Sequence, residues 1–195
     1  MTSQKYCFID LETTGLDRKA HNVFQISAII TDAKIKVLDE INLRFVPFDT
    51  KRIEVEALEK TGLSIEEVTK AEMSNKEAYN AFIEFLSKHC DRYNKADKLY
   101  FVAYNAPFDA DFLREFFAKN DDSYFGSWFW HPPLCVMQLA AWTLVDAPEL
   151  RAKMPNFKLE TLCKIAEIDW DESKAHDAEY DNHATIKLFK ELKKL

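Results

Sequence analysis

The sequence predicts a single α/β domain over residues 1–195, built on a mixed sheet. Three observations carry this. Strand-like runs come first: the apolar stretch Tyr6-Cys7-Phe8-Ile9, then Val23–Thr31, then the alternating Ile35–Val46. A short, wholly apolar run, Leu99–Ala103, stands far downstream and reads as a buried parallel strand. Helical patterns flank that run on both sides, and strands followed by a parallel strand among helices define an α/β layer architecture. The length, 195 residues, is within reach of one domain, and 47% hydrophobic residues supply a core. Three glycines and six prolines argue against linkers or low complexity.

In chain order, Asp17–Asn22 is polar and reads as a loop. Asp32-Ala33-Lys34 is short enough for a hairpin turn, so the second and third strands are expected to be antiparallel neighbours, with Pro47 ending the third. Ile53–Glu59 is helix-like and Gly62 interrupts it. Ser64 with Glu67, and Ser74 with Glu77, are capping-box spacings that open two further helices. The second of these carries Ala78, Phe82, Phe85 and Leu86 at helical spacing and runs to about His89-Cys90. Pro107 suits the first turn of a helix in which Phe108, Phe112, Phe116 and Phe117 recur. Residues 120–133 receive no assignment. Leu134–Val145 and Phe157–Ile168 read as helices, with Pro148 beyond the first. A last amphipathic helix lies within Ser173–Leu195, through Ala184, Ile186, Leu188, Phe189 and Leu192.

Composition removes several classes. No segment is apolar for the length of a membrane span, and Met1-Thr-Ser-Gln-Lys lacks the regions of a signal peptide. Cys7, Cys90, Cys135 and Cys163 are scattered without a C-x-x-C pair, which argues against zinc and fits core thiols in a reducing cytoplasm. A net charge of −7 is a poor footprint for blanket electrostatic binding to nucleic acid. It leaves room for a site whose positive charge arrives with metal ions.

The chemistry gathers around Phe8–Leu16. Asp10 and Glu12 are two residues apart, so a strand places them on one face. Like charges side by side repel, and a divalent ion preferring oxygen ligands is the usual resolution. Thr13, Thr14 and Gly15 bend the chain away and leave backbone groups near that point. Asp109 falls just past the Leu99–Ala103 strand, in the first turn of the next helix. Asp181 lies near the start of the last helix. His176 precedes it by five residues, which on a continuous helix would splay the two side chains by roughly 140°. His176 is therefore expected in the loop before that helix, with Asp181 on the helix itself.

With these residues in place the chain resembles the DEDDh 3′–5′ exonucleases, the DnaQ-like superfamily that includes the proofreading epsilon subunit of bacterial replicative polymerase. Its first motif stands here as DLETTGL, Asp10–Leu16; its second as YNAPFDADFL, Tyr104–Leu113; its third as HDAEYD, His176–Asp181. The motifs come in the family's order and the resemblance spans nearly the whole chain. It implies an RNase H-like fold, a mixed five-stranded sheet with helices on its faces. It implies that Asp10, Glu12, Asp109 and Asp181 hold two Mg²⁺ or Mn²⁺ ions, that His176 is the general base, and that nucleoside 5′-monophosphates leave a 3′ end. In the two-metal scheme one ion activates a water and the pair stabilises attacking and leaving oxygens. Imidazole, titrating near neutrality, suits proton transfer.

The chain departs from the family pattern at Tyr104, where His is usual, at Gln25, where Glu is frequent, and at Asn182 and His183, where small residues are common. His183 is a rival base by proximity; the family spacing favours His176. By the same resemblance Thr13, Thr14, Gly15 and Leu16 meet the terminal nucleotide, and Asn105 and Phe108 line the same pocket. Leu16 reads equally as a core plug, and Phe108 equally as packing beneath its helix. Trp128, Phe129 and Trp130 read as hydrophobic patch or core rather than as a base-stacking platform. Asp111, Asp177 and Glu179 read as solvated neighbours, and His21, His89 and His131 show no partner pattern. Lys187, Lys190, Lys193 and Lys194 read as a solvated face near a helix C-terminus.

The expected function is metal-dependent 3′–5′ hydrolysis of single-stranded DNA or RNA ends, in repair or RNA trimming, or beside a DNA polymerase as a proofreader. A catalytically weak binding module and an RNase H-like endonuclease are the rivals.

Overall fold

The computed structural model describes residues 4–194. Met1–Ser3, on which part of the signal-peptide reading rests, and Leu195, the expected end of the last helix, lie outside the described residues. Five strands form one sheet in the order β3-β2-β1-β4-β5. They are β1 (Lys5–Thr13), β2 (Val23–Asp32), β3 (Val37–Arg44), β4 (Tyr100–Ala103) and β5 (Leu134–Cys135). β1–β2 and β2–β3 are antiparallel; β4 lies parallel to β1 and β5 parallel to β4. This is the mixed five-stranded sheet expected.

The helices among the described residues are α1 (Val55–Thr61), α2 (Ile65–Thr69), α3 (Asn75–Ser87), α4 (Ala106–Lys119), α5 (Phe125–Trp128), α6 (Val136–Thr143), α7 (Pro148–Lys153), α8 (Leu159–Ile165) and α9 (Ala178–Leu192). Both capping boxes form: Ser64 and Ser74 accept from the backbone N–H of Glu67 and Glu77, whose carboxylates accept in return. Gly62, at φ 71°, ends α1 in the left-handed conformation that glycine tolerates best.

Alternation along β1 divides the core in two. Cys7, Ile9 and Leu11 face a cluster built with α3 and α4, including Phe82, Phe112 and Phe117. Tyr6 and Phe8 face another built with α6, α8 and α9, including Val136, Cys163 and Phe189. Burying both faces of the central strand explains its near-continuous apolar run. All four cysteines are buried free thiols, as expected for core residues.

Three local readings need correction. β3 begins at Val37, not Ile35: the Asp32 carboxylate accepts from the N–H groups of Lys34 (2.8 Å) and Lys36 (2.9 Å), and this longer turn puts Ile35 at φ 62° and buries it as a plug. Leu134–Cys135 is the fifth strand rather than the start of a helix; two residues are too few to show alternation. Pro148 lies beyond the helix end as expected, and it also opens α7, the other position that proline favours. Lys193 is not free on a solvated face: it donates to the Tyr6 hydroxyl at 3.0 Å. The unassigned stretch 120–133 contains α5, and there Trp128 and Phe129 are core residues; Trp130 is partly exposed, with Lys98 over its ring.

Candidate active site

Asp10 and Glu12 share the β1 face with Tyr6 and Phe8, at the end of the strand where β4 hands over to α4. Pro107 sits in the first turn of α4 and Asp109 in the same turn, so the helix start presents the third carboxylate. Asp109 is 5% exposed, and the backbone amides of Asp109 and Leu11 beside its carboxylate partly offset the effect of that burial. Asp181 comes from the first turn of α9, and His176 stands in the loop before it, as expected. His176 is at φ 64°, uncommon for a non-glycine residue, and there its N–H donates to Asp181 Oδ2 at 3.3 Å.

The four carboxylates share one electrostatic environment. Burial, then the charges of Asp109, Glu12, Asp181 and Asp177, push Asp10 well above the ordinary range. Burial, then Asp181, Asp109 and Asp177, raise Glu12 to about 8, while Arg44 opposes the rise. Burial raises Asp109 to about 7 and Asp181 to about 6. Converging, desolvated acids of this kind lack a counter-charge. Asp181 Oδ1 is buried without a hydrogen-bond partner. An orphaned carboxylate oxygen among oxygen donors fits a hard divalent cation. As the side chains stand, no group of three His, Cys, Asp or Glu among the described residues forms a finished cage. The acids surround a common region without closing on it.

Burial, then Lys60 and Lys158, lower the His176 imidazole below its ordinary value, which keeps it neutral near pH 7. Its electrostatic neighbours are those lysines and Glu160; none of the four carboxylates is among them. His183 lies over β3 instead, with Nε2 3.4 Å from Glu40.

The turn after β1 divides its residues between structure and cleft. The Thr13 hydroxyl donates to Gly15 O (2.8 Å), and the buried Thr14 hydroxyl accepts from Asn22 N (3.0 Å). Thr14 N and O are both used as well, by Asn22 O and Glu54 N. Leu16 is 73% exposed, so it is no core plug. It lines a cleft of about 490 Å³ together with Asn105, Phe108, Arg18 and Asp111. Phe108, while lining this cleft, also packs on Phe112, ring centroids 4.7 Å apart, as its packing reading expects.

Sequence reasoning missed several supports. His21 is paired: its Nε2 is 3.0 Å from Glu54, and its ring packs against Gly15 so closely that a Cβ there would lie 2.5 Å from it. His89 pairs with Asp39 at 2.8 Å. Asp111 pairs with Arg18 at 2.5 Å, and Asp177 with Arg44 at 2.6 Å. Asn182, fully buried, donates to Phe8 O (3.0 Å) and Ser27 O (3.2 Å), tying α9 to the two central strands. Tyr104 donates from its hydroxyl to Phe157 O, anchoring the end of β4 to the segment before α8. Gly15 and His21 apart, these partners lie 33 to 174 positions from one another, which no local pattern displays; the Glu12–Gln25–Arg44 row would follow from a correct hairpin register.

Comparison with known proteins agrees with this fold. The exonuclease family of the ribonuclease T type matches residues 7–189, and the chain belongs to that family. Ribonuclease T of Shewanella denitrificans is 28% identical over 186 residues, covering 93% of this chain and 76% of its own. The oligoribonuclease of Corynebacterium glutamicum is 29% identical over 122 residues, 60% of this chain and 54% of its own. The zinc-bound complex of E. coli exonuclease I with single-stranded DNA superposes with a TM-score of 0.75 at 26% identity, over 98% of this chain and 41% of that one. The chain thus spans about two fifths of exonuclease I. The fold is that of the RNase H-like exonuclease domain, and the protein is an exonuclease-family hydrolase. Among the described residues no helix is long and apolar enough to cross a membrane.

Proposed function

We propose that the protein is a divalent-metal-dependent 3′–5′ exonuclease acting on single-stranded DNA or RNA ends and releasing nucleoside 5′-monophosphates. The observation that carries the reading is the convergence of Asp10, Glu12, Asp109 and Asp181, all pushed toward protonation, with an orphaned Asp181 oxygen among them. These four carboxylates would hold two Mg²⁺ or Mn²⁺ ions. Such ions supply the Lewis-acid charge that activates water and stabilises the departing 3′ oxygen.

The chain's own groups do the rest. The exposed Leu16 side chain, with Asn105 and Phe108, receives the terminal nucleotide in the cleft beside α4. The Thr13 and Thr14 hydroxyls and both Thr14 backbone groups are committed to the turn, so contacts to the nucleotide from this segment come from the other backbone groups of Thr13 and Gly15. His176, kept neutral by burial and by Lys60 and Lys158, takes the proton of the attacking water. That duty requires its ring to turn from Lys158 and Glu160 toward the carboxylates, a rotation of an exposed side chain. Relatives named for RNA and a neighbour solved with single-stranded DNA both support a single-stranded 3′ end. The relatives described above give no support to a polymerase partner.

The test is incubation with 3′- and 5′-labelled single-stranded DNA and RNA, in Mn²⁺ and in chelator. Stepwise shortening from the 3′ end, dependent on metal and lost in Asp10→Ala, is expected; the faster substrate identifies the sugar. No shortening of either polymer with intact metal binding would return the chain to the binding-module reading.

A further inference from the structure

The edge strand β3 sends three polar side chains to the start of α9. Arg44 reaches Asp177 (2.6 Å), Asn42 donates to Glu179 (2.7 Å), and Glu40 lies 3.4 Å from His183. The step of two residues along a strand is about 7 Å, and the four-residue step from Glu179 to His183 along a helix about 6 Å, so the contacts stay in register. Strand pairing places these side chains on the catalytic face. Glu12, Gln25 and Arg44 form one row across the sheet, and Asp10, Ser27 and Asn42 the next. Buried Gln25 donates to Asn42 Oδ1 at 3.0 Å, tying the second contact into the sheet.

The far end of this zipper is the His176 segment. Asp177 accepts from the N–H groups of Glu179 (3.1 Å) and Tyr180 (3.2 Å), capping α9. Residue 176 precedes it, and the His176 N–H holds Asp181. Arg44 and Asp177 are half and one-third exposed, and solvated pairs of that kind add little to stability. What they fix is location.

We propose that this edge-strand zipper, with Arg44 at its active-site end, is a positioning device that seats residues 176–181 so that Asp181 faces Asp10 and Glu12 and His176 is within a ring rotation of them. The proposal rests on the exonuclease reading above. Arg44 and Asn42 are positioning residues under it, acting through the segment they hold.

The experiment compares Arg44→Ala, Arg44→Lys, Asp177→Asn and the Arg44→Ala/Asp177→Asn double variant. Asparagine at 177 keeps the helix cap and removes the charge. Two readouts are taken: kinetics on a 3′-labelled single-stranded oligonucleotide with Mn²⁺, and amide exchange of residues 176–181 in chelator. Misplacement of a catalytic segment costs on the order of 10- to 100-fold in rate. Each single variant should lose that much in kcat with KM moved by no more than about twofold. The double variant should be no worse than either single one, lysine should restore part of the loss, and exchange at 176–181 should quicken in both single variants. A KM rise at unchanged kcat in Arg44→Ala, with Asp177→Asn unaffected, would overturn the proposal and make Arg44 a substrate contact. So would additive losses, or exchange identical to the parent protein. Should the parent protein shorten no oligonucleotide, the exonuclease reading fails, while the exchange data still decide whether the zipper holds the segment.

Discussion

The two halves of the site are built differently. Asp10, Glu12 and Asp109 come from a central strand and a helix start, Asp109 buried and the two β1 acids half-buried at the end of the core strand, and their positions follow from core packing. His176 and Asp181 come from a left-handed loop and the helix it opens, held by one backbone hydrogen bond and by side chains reaching over from an edge strand. The strand half concentrates negative charge; the loop half carries the exposed His176 imidazole, proposed above as the base. Charge has to be held where water is excluded, because electrostatic interactions there are strongest. A proton acceptor has to meet water. Damage to either half should therefore leave a different signature.

The largest effect comes from breaking the strand half. Asp10→Asn keeps the shape of the side chain and removes a charge on which the proposed metal site would depend. Loss of several kcal/mol of transition-state stabilisation corresponds to about a 10³-fold fall in kcat or more. Titration calorimetry with Mn²⁺ should show weakened binding alongside the lost turnover. Unchanged turnover in this variant would remove the carboxylate cluster from the mechanism.

Breaking the loop half should look otherwise. In His176→Gly the φ of 64° is easily adopted, and the N–H that holds Asp181 remains. Only the imidazole is lost. General-base catalysis is worth roughly 10²- to 10⁴-fold, so kcat should fall within that range. Mn²⁺ affinity and the melting temperature should stay near the parent values. Lost metal binding in this variant would refute the assignment of His176 as base.

The next effect tests the turn that joins the strand half to the cleft. In Gly15→Ala the new Cβ would lie 2.5 Å from His21 Nδ1 and 2.6 Å from Cε1 and Cγ. That ring cannot step aside freely, because Glu54 holds it at 3.0 Å. Overpacking of this kind costs about 1–3 kcal/mol, and the displaced turn carries Leu16, so KM should rise as well. Gly126→Ala, with nothing within 4 Å of the new methyl, is the control and should be close to neutral. Equal melting temperatures for the two variants would show that His21 does not constrain the turn.

How much of this was legible in the sequence follows the same division. The strand half was: a strand face, a strand end and a helix start are local patterns, and Asp10, Glu12 and Asp109 could be placed from periodicity and Pro107. Asp181 and His176 were placed on the correct sides of a helix boundary by the angular argument. The supports of the loop half were not legible. Arg44 with Asp177 and Asn42 with Glu179 join residues more than 130 positions apart, and each side chain alone reads as a solvated polar group. Gly15 read as a bend and proved to be space for a histidine ring. β5 failed for another reason: two residues contain no period.

The smallest effect is also the most diagnostic, because it needs no substrate. Glu12 is raised from 4.5 to about 8, Asp109 from 3.8 to about 7 and Asp181 from 3.8 to about 6, in each case chiefly by burial. An acid whose folded pKa exceeds its unfolded value binds its proton more tightly in the folded state. The folded protein then holds more protons than the unfolded chain between those values, so stability falls as pH rises. In chelator this contribution should be complete below pH 4 and should drain away through pH 6, 7 and 8. Each 1 kcal/mol lost lowers the melting temperature of a chain of this size by about 2–4 °C. Asp10 is itself pushed well above the ordinary range, so Asp10→Asn removes one of these contributions and should flatten the decline. Mn²⁺ should reverse the decline in the parent protein, most strongly at the alkaline end, because a cation binds the ionised carboxylates. His176→Gly leaves the carboxylates in place and should reproduce the parent curve in both conditions. A chelator profile that is flat, or that rises with pH across this window, would mean that the four acids do not share a desolvated site, and the contrast between the two halves would collapse.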